Sequence, residues 1–225
     1  MSELPRTLDE TLAQCSQALA ATFESGKTRA QIDIKVPGLD VLSLVQGLAP
    51  ALGESGWAAA FPDPGAAALA RRRLGSVGYD LRGLSELKLR GGEHRAVLVV
   101  EPSAIEVETV ETLADRMAGK PFILLNSRLQ EAGAVGIGLA GRQLRERFLS
   151  TFEMAYAIQP FEGGSLYRAH PKPWQLWRET QEGDYTKVAE FDTRPLGEEI
   201  DRALYPKKGE ALLDGLRRFL RALGQ

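Results

Sequence analysis

Apolar residues along this chain change period several times, and each change marks a new element. Leu8, Leu12, Cys15, Leu19 and Phe23 recur at helical spacing behind Thr7-Leu8-Asp9-Glu10. That start has the Thr-x-x-Glu form of a capping box and predicts a helix over about 8–25, ended near Gly26. Gln31–Val36 alternates and stops at Pro37-Gly38, the pattern of a strand and turn. Residues 39–53 read as a helix, Trp57–Phe61 as a short apolar strand closed by Pro62-Asp63-Pro64-Gly65, and Ala66–Leu74 as an Ala-rich helix. Leu84–Leu89 alternates and predicts a strand. Ala96–Val100 is an unbroken apolar run, as expected of a strand buried on both faces. An amphipathic helix over Glu106–Met117, a strand over Pro121–Leu125, a helix from Arg142 to Phe152 and a strand over Met154–Phe161 follow.

After Gly163 the rhythm shortens. Leu166–Ala169, Trp174–Glu179 and Lys187–Phe191 are extended segments separated by His170-Pro171-Lys172-Pro173 and Glu182-Gly183-Asp184, short connections that suit antiparallel pairing. Two helices, about 196–204 and 208–223, end the chain. The predicted class is α/β: a mostly parallel, Rossmann-like sheet with flanking helices, extended by an antiparallel β-meander and terminal helices. The expectation is one domain over 1–225, with its βα core at 8–161, the meander at 162–195 and the helices at 196–225.

Composition narrows the functional classes. The 225 residues are 44% hydrophobic and 26% charged, so the chain can build a core without staples. Basic and acidic residues number 28 and 30, a net charge of −2 that offers no field for nucleic acid. The single cysteine, Cys15, excludes an internal disulfide, and two histidines leave little for a metal site. Cys15 lies on the apolar side of its helix and is expected to be buried and inert. There is no G-x-S-x-G elbow, H-E-x-x-H or Walker loop, so no catalytic residues, metal or cofactor are expected.

In open α/β sheets, ligands sit beyond the carboxyl ends of the strands. Those ends carry Asp63, then Glu101 and Ser103, then Asn126 and Ser127, with Lys35 near the end of the first strand. If the strands are parallel neighbours, two carboxylates and an amide meet in one crevice able to hold a polar ligand. The plainer reading makes Asp63 a turn and helix-cap residue, with Glu101 in a similar turn before Pro102. Gly136-Ile137-Gly138-Leu139-Ala140-Gly141 matches G-x-G-x-x-G, with Glu162 about 20 residues on. Some ten residues separate it from the preceding strand, where a dinucleotide fingerprint follows at once, so Gly136 and Gly138 read first as parts of a flexible loop and second as a phosphate site.

Candidate partner contacts come from arginine and tryptophan. Arginine supplies 20 of the 28 basic residues, with a run at Arg71, Arg72 and Arg73 and others at Arg142, Arg145 and Arg147. A solvated helix face is the plain reading of these, and an acidic partner or anion the sharper one. Trp174 and Trp177 fall on opposite faces of their strand, so one is expected in the core, leaving Trp177 as a candidate exposed aromatic. On the last helix, Leu212, Leu213, Leu216, Phe219, Leu220 and Leu223 lie opposite Arg217, Arg218 and Arg221. That face docks either on the protein's own core or on a partner or anionic membrane.

Taken in order, QIDIKVPGLD (31–40), FPDPGAAALARRR (61–73), VVEP (99–102) with PFILLNSRL (121–129), FEMAYAIQP (152–160) and residues 174–195 resemble a domain-of-unknown-function family of cyanobacteria and plastids. Its plant members include proteins of the "low photosystem II accumulation three" type, and a plastid adenylate kinase carries a similar domain as a C-terminal extension. Where the family pattern has Asn-Pro after the fifth strand, this chain has Asn126-Ser127. The resemblance implies an accessory or assembly factor for the photosynthetic apparatus, with photosystem or thylakoid proteins as partners and a peripheral membrane contact. The alternative is a domain that binds or processes a phosphorylated or nucleotide-like molecule at the strand ends. The N-terminus MSELPRTLDETLAQ lacks the features of a signal or transit peptide, which fits a cytoplasmic cyanobacterial member peripheral to the thylakoid.

Overall fold

A computed structural model describes residues 3–131, 144 and 146–205. Five strands and the helices between them follow the βα alternation: α1 (Leu8–Glu24), β1 (Arg29–Ile34), α2 (Val41–Leu52), β2 (Trp57–Phe61), α3 (Pro64–Leu74), β3 (Asp80–Gly83), α4 (Leu84–Arg90), β4 (Ala96–Val100), α5 (Val107–Arg116) and β5 (Phe122–Leu125). Then come β6 (Glu153–Phe161), β7 (Gly164–Ala169), β8 (Trp174–Glu179), β9 (Tyr185–Phe191) and α6 (Gly197–Leu204). The nine strands form one sheet in the order β3-β2-β4-β5-β1-β6-β7-β8-β9. Pairing is parallel from β3 to β6 and antiparallel from β7 to β9. The protein is therefore an α/β fold with a C-terminal β-meander.

The chain divides into two compact units, Met1–Gln159 with Arg168–Lys172, and Pro160–Tyr167 with Pro173–Gln225. In the first, β2, β4 and β5 are buried at every position, as their unbroken apolar runs require. Ala58, Ala60, Val97, Val99, Phe122 and Leu124 point into one core with Leu84 and Leu87 of α4 and Val110 and Leu113 of α5. Helices α1, α2 and α3 pack in sequence against one another and make the layer on the opposite face. In the second unit, β8 pairs with both β7 and β9, and its first four residues are buried.

Two assignments differ from expectation. Leu84–Leu89 is helix, and the strand lies just before it at Asp80–Gly83. Only Leu87 and Leu89 keep a period of two; Leu84 and Leu87, at i and i+3, are the residues the core buries, while Leu89 is 73% exposed. The expected helix to Phe152 ends sooner. Leu144, Glu146 and Arg147 are helical, and Leu149–Thr151 is a 3-10 turn. Ser150 and Thr151 donate their hydroxyls back to the carbonyls of Glu146 and Phe148, which competes with continuing the helix. The predicted helix 208–223 lies outside the described residues.

Candidate functional site

β2, β4, β5 and β1 are consecutive neighbours, so Asp63, Glu101 and Asn126 do stand along one carboxyl edge of the sheet. What their side chains do there is local. Asp63 is the N-cap of α3, and its Oδ1 accepts from the Ala66 N–H at 2.9 Å, with Pro64 fixing the first helical turn. Ser103 caps the turn that leads into α5. Its N–H and Oγ both donate to Glu106 Oε2, at 2.7 and 2.6 Å. Ser127 is buried, and its Oγ accepts from the Leu129 N–H.

Asn126 has the most consequential geometry. Its backbone N–H donates to the Ile32 carbonyl, ending the β1–β5 ladder. Its side chain then carries the ladder one step further: Oδ1 accepts from the Ile34 N–H at 2.7 Å, and Nδ2 donates to the Ile34 carbonyl at 3.1 Å. The amide acts as a substitute peptide unit between β5 and β1, at a point where a doubly wound sheet commonly opens a crevice. To aim it there the backbone adopts φ 51°, a left-handed conformation that asparagine tolerates better than most residues.

Glu101 shares that backbone conformation, with φ 49°, one strand over. Its N–H donates to the Leu125 carbonyl, and its side chain is exposed. A glutamate gains nothing local from φ > 0, so this position stores strain of about 1 kcal/mol or more.

The pattern Gln31-Ile32-Asp33-Ile34-Lys35 conceals a further polar group, because strict alternation suggests a solvent-facing side. Register places Gln31 opposite Leu124, and alternation puts Asp33 on that same, α5-covered face. Asp33 is fully buried; Gln31 Nε2 donates to its Oδ1 at 3.1 Å, and Lys35 Nζ stands 3.7 Å from its Oδ2. A buried carboxylate must be compensated in this way to be tolerated. The signal available in the sequence was an acid two residues from a lysine within a strand that ends at the sheet centre.

The candidate partner residues divide. Arg71 Nη1 donates to the Leu81 carbonyl at 2.7 Å, and Arg73 forms a bidentate pair with Asp40 at 2.7 and 3.3 Å. Arg73 thereby holds the Asp40 carboxyl below its ordinary pKa. Arg72 between them is exposed. Arg147 bonds Glu111 at 3.0 Å. Trp177 is buried, like Trp174, and donates to Gln175 Oε1 at 3.1 Å, so the expected exposed indole face is not there. Cys15 is buried, and burial pushes its thiol pKa up, which keeps it protonated. Glu162 is an exposed turn residue. Gly136, Gly138, Arg142, Arg145, Arg217, Arg218 and Arg221 lie outside the described residues.

Among the described residues there is no cluster of three or more His, Cys, Asp or Glu able to hold a metal ion, and no helix long and apolar enough to cross a membrane. Neither the curated proteins nor the solved structures contain a match to this chain. A family model does match, that of a domain of unknown function, DUF1995, over residues 5–202. The matched span starts before α1, takes in all nine strands and ends within α6, so the chain belongs to the DUF1995 family.

Proposed function

We propose that the chain is a non-catalytic accessory factor in biogenesis of the photosynthetic apparatus, acting through protein–protein contacts at the thylakoid surface. The observation that carries this reading is how the polar groups at the sheet's carboxyl edge are used. Asp63, Ser103, Asn126 and Ser127 are bonded to nearby backbone or to a capping partner, where an enzyme of this architecture would aim such groups at a substrate. The resemblance of the ordered motifs to a family whose plant members include the "low photosystem II accumulation three" type supports the biological setting. Exposed side chains are available for contact: Arg72 on α3 and, separately, Ile105, which is 90% exposed on the β4–α5 connection.

Affinity purification from the native membrane fraction tests the reading directly. Photosystem or thylakoid proteins co-purify with the wild-type chain, and a deletion strain accumulates less photosystem. Normal photosystem levels in that strain, with no thylakoid protein recovered, refute it.

A further inference from the structure

Strand β3 is the outer edge of the parallel sheet, with β2 as its sheet neighbour. Along it runs a pocket of about 290 Å³, walled by Arg71 at the end of α3, Ser76 and Tyr79 of the connection, Asp80 and Arg82 of β3, and Glu86 of α4. A smaller recess continues past Asp80 and Arg82 to His94.

Polar groups here have bonding capacity to spare. The Tyr79 hydroxyl is shielded from solvent and has no hydrogen-bond partner among the described residues. Its ring is held by stacking on buried Trp57, with centroids 3.9 Å apart and planes at 17°. Burial raises the phenol pKa, so the hydroxyl stays protonated. The Arg82 guanidinium stands 3.7 Å from Asp80 and 3.9 Å from Glu86, beyond hydrogen-bond distance from either. Arg71 spends Nη1 on the Leu81 carbonyl, which fixes its guanidinium; a guanidinium carries five donors. Asp80 is held from the other side by His94 Nε2 at 3.2 Å.

We propose that this pocket binds a small molecule with one oxyanion head, a carboxylate or a phosphate, on a body that bears hydroxyl or amino groups. The head accepts from Arg82 and Arg71, since the guanidinium fork matches both oxyanions, and the Tyr79 ring stacked on Trp57 forms part of the wall. The body donates to Asp80 and Glu86, and those two carboxylates repel a bare inorganic anion. A volume of about 290 Å³ lies at the small end of ligand pockets, roughly 300–1,000 Å³, and suits a metabolite of a few carbons. This site is separate from the carboxyl edge and from the docking function proposed above.

The test is thermal shift followed by calorimetric titration of the full chain. One arm uses free amino acids and α-hydroxy acids, the second sugar phosphates, and the third acetate and inorganic phosphate alone. A member of the first or second arm raises Tm and binds saturably, and which arm responds identifies the head. Arg82→Ala, on a half-exposed side chain, and Arg71→Ala each weaken binding by about tenfold or more, the loss expected for a hydrogen bond to a charged group. Arg116→Ala, on an exposed side chain outside the pocket lining, leaves it unchanged. The proposal is overturned if no compound in the first two arms binds, if inorganic phosphate binds equally well, or if both pocket variants bind as wild type. It is also overturned if Asp63→Ala alone abolishes binding, because that moves the site to the carboxyl edge.

Discussion

The carboxyl edge of the sheet and the outer edge at β3 draw on the same kinds of side chain and use them in opposite ways. At the carboxyl edge, Asn126 completes the β1–β5 ladder and Asp63 caps α3, so hydrogen-bonding capacity is spent on the chain itself. At β3, a shielded tyrosine hydroxyl lacks a partner among the described residues, and Arg82 stands just beyond bonding distance of two carboxylates. Position in an α/β sheet thus marks where ligands commonly bind, but whether polar groups are already bonded decides what a given edge can still do.

The contrast is open to mutation, beginning with its most constrained residue. Asn126→Ala removes both bonds to the buried Ile34 backbone and leaves an alanine at φ 51°, so stability falls by about 2–4 kcal/mol, read from urea unfolding. A loss well under 1 kcal/mol would mean that the amide bridge is incidental. Glu101→Gly relieves a left-handed backbone with no side-chain cap to lose and raises stability by about 1 kcal/mol in the same assay. A destabilised variant would show that the exposed glutamate earns its strained backbone through a contact in the folded chain.

Tyr79→Phe runs against the usual penalty for losing a buried polar atom. With no partner to abandon, the variant is as stable as wild type or up to about 1 kcal/mol more so. A clear loss in calorimetric unfolding would show that the hydroxyl is already satisfied, and the two edges would then be alike. The smallest effect belongs to Arg73→Ala. The Arg73–Asp40 pair is half exposed and screened, so its loss costs a few tenths of a kcal/mol at pH 7. Because Asp40 has a lowered pKa in the fold, this contribution is present above the ordinary carboxylate value of about 3.9 and disappears as pH falls through the lowered one. Urea midpoints of wild type and variant therefore converge in acid; a constant gap would assign the effect to helix propensity.

Much of the first unit was legible because its signals are local. Thr7 caps α1 and Asp63 caps α3 where their sequence contexts place them, and AVLVV and FILL are strands buried on both faces. The β3–α4 boundary was not, since Leu87 and Leu89 suit a strand and Leu84 and Leu87 a helix, and only the core facing α5 selects the helical spacing. Alternation over Gln31–Val36 does not say which face of β1 is covered, and the burial of Asp33 depends on which helices pack there. Trp177 was the reverse case: alternation placed it on the side expected to be exposed, and the meander buries both faces of β8 at that point.

By itself the sequence determined the class of fold, the order of most of its elements, the caps that start α1 and α3 and the absence of the common catalytic motifs, all consequences of spacing within about twenty residues. Only the tertiary structure decided what the polar residues with distant partners do. Asn126 meets Ile34 across 92 positions, and Asp80 meets His94 from the far side of α4. Hydrogen bonds are satisfied in space, so neighbours brought together by folding determine which donors remain available to a ligand.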